Sequence, residues 1–155
     1  ASPQYLARRG MPHHPDDLLH HDCVNFRFQS SGQAFRWSFV IGDRIREIMP
    51  DAGIVADVSD AVIAIVAAGG GIGISPTYAA ASCVRRRELV PLLRDYIAPR
   101  SYITALSPDS RRGNPNLKAF MSYLGEVFPS PTPWDALMSA HPSPCDSPAE
   151  QRPLD

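Results

Sequence analysis

The segment from residue 53 to residue 76 limits the possible folds most strongly, because its apolar pattern changes twice within a short distance. Residues 53–56 have the composition of a short buried strand, and residues 61–68 form an apolar run typical of a buried helix. Three glycines end that helix, and residues 72–74 form a second apolar strand. A helix that connects two strands in this way is the crossover of a parallel sheet, so the segment predicts an α/β domain.

The flanking segments add further short elements to this unit. Ser2 is a suitable N-cap for a first helix that stops at Gly10, and Asn114 is a suitable cap for the last long helix. Apolar and polar residues alternate on either side of a Ser-Ser-Gly loop, which predicts two half-buried strands. Strands are predicted at residues 24–28, 35–41, 45–48, 89–93 and 102–106, and helices at residues 3–9, 15–19, 77–84 and from 115 onward.

Charge and cysteine content exclude several classes of protein. The 155 residues carry 15 basic and 16 acidic side chains, so the net charge of −1 offers no field to hold a nucleic-acid backbone. The longest apolar run is far below the roughly 20 residues of a membrane span, and no secretion signal is recognisable. The three cysteines are odd in number and widely spaced, which predicts neither a disulfide framework nor a zinc knuckle, and favours a reducing, cytoplasmic location.

The last part of the chain is rich in proline. Seven prolines fall within residues 129–155. Proline removes a backbone donor and interrupts both helices and sheets, so this part is predicted to be a disordered tail with at most a helical turn around residues 134–139. The folded domain is accordingly predicted to comprise residues 1–128.

Two glycine-containing motifs resemble known functional motifs, one a phosphate-binding loop and the other the nucleophile turn of a serine hydrolase. The glycines at 69–73 follow a helix and precede a strand, whereas a phosphate loop runs from a strand into a helix, so they favour helix termination with close packing. Residues 73–77 resemble a nucleophile elbow for three positions only. The final glycine of that motif is missing, and Pro76 stands where a backbone N–H would serve the oxyanion, so a serine hydrolase is not expected.

Two polar clusters have the residue types of metal or acid–base sites. Adjacent histidines point about 100° apart on a helix, so no two ligands share one face with metal-binding spacing. Asp57 and Asp60 stand three residues apart at a helix start, where a capping arrangement explains them more simply than acid–base chemistry does. No catalytic set and no cofactor are predicted, and a small metal-dependent enzyme remains a rival interpretation of the histidine cluster. That cluster consists of His13, His14, His20, His21, Asp22 and Cys23.

Helix starts that follow strands offer a different kind of site. Free N–H groups project beyond a sheet at such places and can contact a small ligand. Asp57, Val58 and Ser59 occupy one helix start, and Ser2 occupies another. Ligand contact and plain capping explain these residues equally well from the sequence alone.

A series of short motifs along residues 1–126 points to one protein family. The motifs are A-S-P-Q-Y-L-A-R-R-G at 1–10, P-D-D-L at 15–18, H-D-C-V at 21–24, W-S-F at 37–39, V-A-D-V at 55–58, the apolar helix into G-G-G-I at 69–72, Pro76, L-V-P-L-L at 89–93, and the block from Pro108 through Arg111 to N-P-N-L-K-A-F at 114–120. Their order and spacing resemble the effector-binding domain of LysR-type transcriptional regulators. The resemblance implies a type II periplasmic-binding-protein-like lobe, with a mixed, mainly parallel sheet flanked by helices.

The same resemblance implies a function. In this family a small inducer lies between two lobes and biases an oligomeric regulator on DNA, and no enzymatic activity is expected. This chain resembles the second lobe with the strand and helix that return to the first, so DNA would be bound only through a winged helix-turn-helix outside it. A solute-binding protein of a transport system shares the two-lobed architecture and is the alternative.

The resemblance also implies inducer-facing residues. Ser2, Asp57, Val58 and Ser59 would form one side of the site, and Ile74, Ser75 and Pro76 would form an opposite wall. Family members often carry Asn or Thr at the position of Asp57. A carboxylate there, with Asp60 nearby, disfavours a dianionic inducer and suits an amine or hydroxyl group.

The last long helix carries an apolar stripe that needs a cover. The residues repeat at helical spacing and are Leu117, Phe120, Met121, Leu124 and Phe128. Burial of four or five such side chains involves about 6–15 kcal/mol, which is comparable to the stability of a whole domain. The stripe is therefore predicted to pack against another copy of the chain or to fold back on this one.

Overall fold

The computed structural model describes residues 1–98, 106, 108 and 113–140. The elements in chain order are α1 (Pro3–Arg9), β1 (Cys23–Phe26), β2 (Trp37–Ile41), β3 (Arg44–Ile48), β4 (Ile54–Ala56), α2 (Ser59–Ala67), β5 (Ile72–Gly73), α3 (Thr77–Arg85), α4 (Pro115–Val127) and α5 (Pro133–Ala140), with short 3-10 helices at Pro15–His20 and Arg94–Tyr96. None of the described helices is long and apolar enough to cross a membrane.

The crossover predicted from residues 53–76 is present. β4 and β5 lie on either side of β1, and both run parallel to it. The glycines between α2 and β5 serve packing: Gly69 has φ +87 just beyond the helix, and a Cβ on Gly73 would lie 2.6 Å from Cγ2 of Val66. Backbone and helix therefore approach too closely at Gly73 for a larger residue.

The sheet separates two apolar clusters because successive side chains of a strand point to opposite faces. Val24 faces α2, where it packs against Val62 and Val66. Cys23 faces the other side, where Tyr5 and Trp37 are buried. α1 and the hairpin therefore cover one face of the sheet, and α2 covers the other.

The two alternating segments around the Ser-Ser-Gly loop belong to different sheets. β1 lies in the parallel sheet, whereas β2 pairs with β3 as an antiparallel hairpin. An isolated bridge between Arg27 and Ala34 connects the two chain segments across the loop, and the backbone N–H of Phe35 donates to the carbonyl of Phe26 at 2.7 Å. The fold is thus an α/β domain with a parallel sheet and an added hairpin.

The prediction of a strand at residues 89–93 is wrong. Val90 exchanges backbone hydrogen bonds with Ala1, at 2.8 Å and 3.2 Å, but the segment forms no strand. Pro91 has no N–H to donate, and Leu93 takes a left-handed conformation with φ +52, which ends the extended run. Residues 102–105 of the next predicted strand lie outside the described residues.

The proline-rich segment contains more helix than its composition predicts. α5 has eight residues, and Thr132 starts it by accepting a hydrogen bond from the backbone N–H of Asp135. Pro133 occupies the first turn, where its missing N–H costs nothing. The division of the chain at residue 128 stays a prediction, and residues 141–155 lie outside the described part.

Candidate functional site

The parallel register brings two of the predicted groups to one edge of the sheet. Phe26 and Ala56 are level at the carboxyl ends of β1 and β4. Gly73 is paired with Val24, so Ser75 follows at the level of Phe26. Asp57 therefore leaves the sheet at the same edge as Ser75, and two strand spacings separate them by about 10 Å. Small ligands bind at such carboxyl edges in open α/β sheets.

Asp57, Val58 and Ser59 stand at the start of α2, and none of their side chains caps the helix. Val58 is the N-cap residue, and among the described residues no side chain makes a capping hydrogen bond there. The Asp57 carboxylate accepts one hydrogen bond, from the Gln29 side-chain nitrogen at 3.3 Å, on an exposed surface. The carboxylate of Asp57 thus faces solvent at the sheet edge and is available to a ligand.

Ile74, Ser75 and Pro76 form the connection from β5 to α3. Ile74 is half-buried and packs against the cluster that contains Tyr5 and Trp37. The hydroxyl of Ser75 donates to the carbonyl of Pro76 at 3.3 Å on an exposed surface. Pro76 is the N-cap of α3 and supplies no polar side chain to it. This connection presents a short, mainly apolar wall with one hydroxyl.

Ser2 lies elsewhere. Its side chain is 1% exposed, and its hydroxyl accepts the backbone N–H of Tyr5 at 3.2 Å as the cap of α1. A Cβ built on Gly69 would lie 3.7 Å from the Ser2 hydroxyl, which places Ser2 beside the end of α2. Asp57 precedes the start of the same helix, and nine helical residues span about 14 Å. The structure therefore does not bring Ser2 and Asp57 to a common hollow, because the cap position that suggested Ser2 is filled within α1.

A hollow that the sequence did not reveal lies beside the carboxyl edge. It has a volume of about 380 Å³ and is open to solvent. Asn25 and Val55 are paired in the sheet and point to the face opposite α2. The side chains and backbone around the hollow belong to Asn25, Ala34, Met49, Pro50, Asp51, Ala52 and Val55.

Asn25 is the most informative of these residues. It is 1% exposed, and its amide oxygen accepts the indole N–H of Trp37 at 2.9 Å. Its amide nitrogen donates to the carbonyl of Phe35 at 3.1 Å. A lone Asn inside an apolar strand was the available signal, because buried amides need partners. The partners are Trp37 at the start of the hairpin and Phe35 directly before it, and no local pattern connects these two residues to Asn25.

The histidine cluster has structural partners. His14 accepts the backbone N–H of Asp16 at 3.2 Å and starts the 3-10 helix. His21 lies 3.1 Å from the Tyr5 hydroxyl, and burial together with the charge of Arg9 lowers the pKa of its imidazole. Burial also raises the pKa of the Cys23 thiol to about 12. Within residues 1–98 and the other described positions, no group of three possible ligands could hold a metal ion.

A family profile and several relatives match most of the chain. The profile of the LysR substrate binding domain matches residues 1–129. An HTH-type transcriptional regulator, YcaN, of Escherichia coli K12 is 34% identical over 124 residues, which are 80% of this chain and 40% of that protein. The HTH-type transcriptional repressor PA14_22550 of Pseudomonas aeruginosa UCBPP-PA14 is 27% identical over 128 residues, which cover 83% of this chain and 40% of the repressor.

Solved structures show the same fold. The regulatory domain of CrgA, a LysR-type transcriptional regulator from Neisseria meningitidis, superposes with a TM-score of 0.57 at 22% identity, over 81% of this chain and 61% of that one. The fold is a periplasmic-binding-protein-like type II fold, as found in regulatory domains. The chain belongs to the LysR substrate-binding domain family, whose members are regulators and not enzymes. It spans about 40% of the length of the curated relatives it matches.

Proposed function

We propose that this chain is the inducer-sensing part of a cytoplasmic LysR-type transcriptional regulator, and that its effector binds at the carboxyl edge of the parallel sheet. The register that brings Asp57 and Ser75 to one edge carries this proposal. Asp57, Val58 and Ser59 contact the effector from the start of α2, and Ile74, Ser75 and Pro76 contact it from the start of α3. We infer that the hollow of about 380 Å³ beside Val55 receives part of the same effector, because Val55 is two residues from Asp57.

The exposed polar groups favour a particular effector chemistry. Asp57 offers a carboxylate, and Ser75 offers a hydroxyl that accepts as well as donates. Asp60 adds a second negative charge in the first turn of α2. These groups suit an amine or hydroxyl-bearing molecule and oppose a dianion. The apolar side chains of Val55 and Met49, which line the hollow, suit a molecule that also has a hydrocarbon part.

Control of transcription requires a DNA-binding element that this chain does not contain among its described residues. The net charge of −1 does not support a phosphate-binding surface. A winged helix-turn-helix in the remaining length of the regulator would supply the DNA contact. The relatives reported above are transcriptional regulators, which favours regulation over solute transport.

We also propose that α4 is an assembly surface. No residue of α4 is buried within the described chain, and Phe120 and Met121 are 55% and 45% exposed. Exposed apolar stripes of this kind mark interfaces, because water contact with large side chains is costly. Domains of this family act as oligomers, and a second copy of the chain is the proposed cover.

A thermal-shift screen of the 155-residue chain tests the effector proposal. Amines, polyols, aromatic acids and sugars are compared, because a ligand at 100 times its Kd stabilises by about 2.7 kcal/mol. We expect an amine or polyol to raise the melting temperature, and Asp57→Asn to abolish that rise. Asp43→Asn removes the same charge from the β2–β3 turn and serves as the control. A ligand whose binding is equally strong in Asp57→Asn would contradict the proposed site.

A further inference from the structure

The last described helix, α5, is held against the domain by contacts with α3 and with the segment that follows α3. The Thr77 hydroxyl, at the first position of α3, donates to a carboxylate oxygen of Asp135 at 2.8 Å. The guanidinium of Arg94 donates to the backbone carbonyl of Met138 at 2.6 Å. Met138 also packs its side chain against the cluster that contains Val84. Polar contacts at two places and an apolar contact therefore hold α5 in one position.

The carboxylate that reaches α3 is itself held in place. The Thr132 hydroxyl donates to the second carboxylate oxygen of Asp135 at 2.6 Å. The backbone N–H of Asp135 in turn bonds to the Thr132 hydroxyl at 3.3 Å. Both oxygens of Asp135 thus have threonine partners, Thr132 directly before α5 and Thr77 on α3. Pro76 supplies no side-chain cap to α3, so α5 brings a negative charge to the positive end of that helix.

Trp134 connects α5 to two other helices. Its ring lies 6.4 Å from the ring of Tyr78, in the first turn of α3, with an interplanar angle of 74°. The same ring lies 5.7 Å from the ring of Phe128, directly after α4, at 64°. Both are edge-to-face contacts of the kind that aromatic rings prefer. A single side chain therefore touches the start of α3 and the end of α4.

We propose that α5 is a conformational coupling element, in which Trp134 transmits displacement between the start of α3 and the end of α4. Tyr78 is two residues from Pro76, the last residue of the wall described above, and α4 carries the exposed apolar stripe. The coupling links these two surfaces. A role of this coupling in regulation rests on the proposed function. The coupling between α3 and α4 itself does not depend on that proposal. α5 lies beyond residues 1–129, to which the family profile is matched.

The coupling has a thermodynamic signature that distinguishes it from simple packing. If two sites bias one element, each must affect the other to the same extent in free energy. Loss of the Phe128 ring should loosen α3, and loss of the Tyr78 ring should loosen α4. Both effects should disappear when Trp134 is already absent, because the shared contact is then gone.

Hydrogen exchange of the full 155-residue chain tests this. The reporters are the amides of Ala79 and Ala80, which bond to the Pro76 carbonyl, and the amide of Phe128, which bonds to the Leu124 carbonyl. Amides of β1 in the same sample correct for any general loss of stability. We expect Phe128→Ala to speed exchange at Ala79 and Ala80 by about threefold or more, and Tyr78→Ala to do the same at residue 128.

Four further substitutions complete the test, and the two at Trp134 are also combined with Phe128→Ala and with Tyr78→Ala. Trp134→Ala should speed hydrogen exchange at both sets of reporter amides. In chains that carry Trp134→Ala, neither Phe128→Ala nor Tyr78→Ala should alter exchange in the opposite helix any further. In chains that carry Trp134→Phe, both effects should persist. Tyr123→Ala on α4 and Arg85→Ala on α3 are exposed controls and should leave the opposite helix unchanged. The proposal is overturned if each substitution alters only its own helix, or if the effects persist without Trp134. No effector is needed, so the result is independent of the effector site.

Discussion

The indole N–H of Trp37 donates to the side-chain oxygen of Asn25 at 2.9 Å, and this buried hydrogen bond joins the hairpin to the parallel sheet. Trp37 begins β2, and Asn25 lies in the centre of the three-stranded sheet. The same oxygen accepts the backbone N–H of Phe26 at 2.8 Å. The side-chain oxygen of Asn25 therefore accepts one hydrogen bond from β1 and one from the hairpin, which are not paired as strands of one sheet.

Substitution of Asn25 by Leu should destabilise the domain. The Trp37 indole and the Phe35 carbonyl would lose their partners in a buried position, and each unsatisfied group costs about 1–3 kcal/mol. Urea unfolding followed by far-UV circular dichroism measures the loss. Gln29→Leu is the control, since its side chain bonds only on the surface. Equal stability of Asn25→Leu and wild type would show that the hairpin does not depend on this amide.

Two glycines should respond to alanine in opposite directions. A Cβ on Gly73 would lie 2.6 Å from Cγ2 of Val66 and 3.2 Å from Cγ1 of Val62, so Gly73→Ala should cost about 1–3 kcal/mol. A Cβ on Gly125, in α4, meets no atom within 4 Å. Gly125→Ala should therefore stabilise α4 by up to about 1 kcal/mol. Chemical denaturation of both variants checks the pair, and destabilisation by Gly125→Ala would indicate a contact on α4 that the chain itself does not provide.

Substitution of Ser2 should affect stability, whereas substitution of Asp57 should affect effector binding. Ser2→Ala removes the cap of α1 and should cost about 1 kcal/mol of unfolding free energy. Asp57→Asn should leave stability within about 0.5 kcal/mol, because its carboxylate is exposed and does not cap α2. An effector found by thermal shift should bind Ser2→Ala normally and Asp57→Asn weakly. The reverse pattern would place the effector near α1.

The Cys23 thiol should make the domain sensitive to alkaline pH. Burial, followed by the nearby charge of Asp22, raises its pKa from 9.0 to about 12. The folded state thus retains the proton longer than the unfolded state, so the stabilisation is complete below pH 9 and is lost as the pH rises toward 12. Urea midpoints between pH 8 and 11 should fall more steeply in wild type than in Cys23→Ala. Equal slopes in the two proteins would contradict the assignment of this alkaline sensitivity to Cys23.

Self-association through α4 should depend on one side of that helix. Phe120→Glu places a charge in the apolar stripe and should shift the chain to monomer in light scattering. Ser122→Glu adds the same charge at a position about 160° from Phe120 around the helix axis, and it should leave association unchanged. A monomeric wild-type chain would contradict the proposed role of α4.

The local elements followed from local patterns in the sequence. Ser2, Pro3 and Gly10 predicted α1, and the apolar run before the three glycines predicted α2 and the crossover to β5. The strand at 89–93 failed because apolar composition does not report the left-handed φ of Leu93. The family resemblance was confirmed by the profile match, since it depends on motif order along the chain.

What only the tertiary structure decided is which distant residues meet. The sequence by itself determined that Asp57–Ser59 and Ile74–Pro76 end strands of one crossover, and the strand register then placed them at one edge. It did not determine that Ser2 lies at the far end of α2, that Asn25 receives Trp37, or that α5 docks on α3. Short-range periodicity reflects the backbone geometry of single elements, whereas these pairings depend on how separate elements pack together, and no residue's neighbours in the chain specify that.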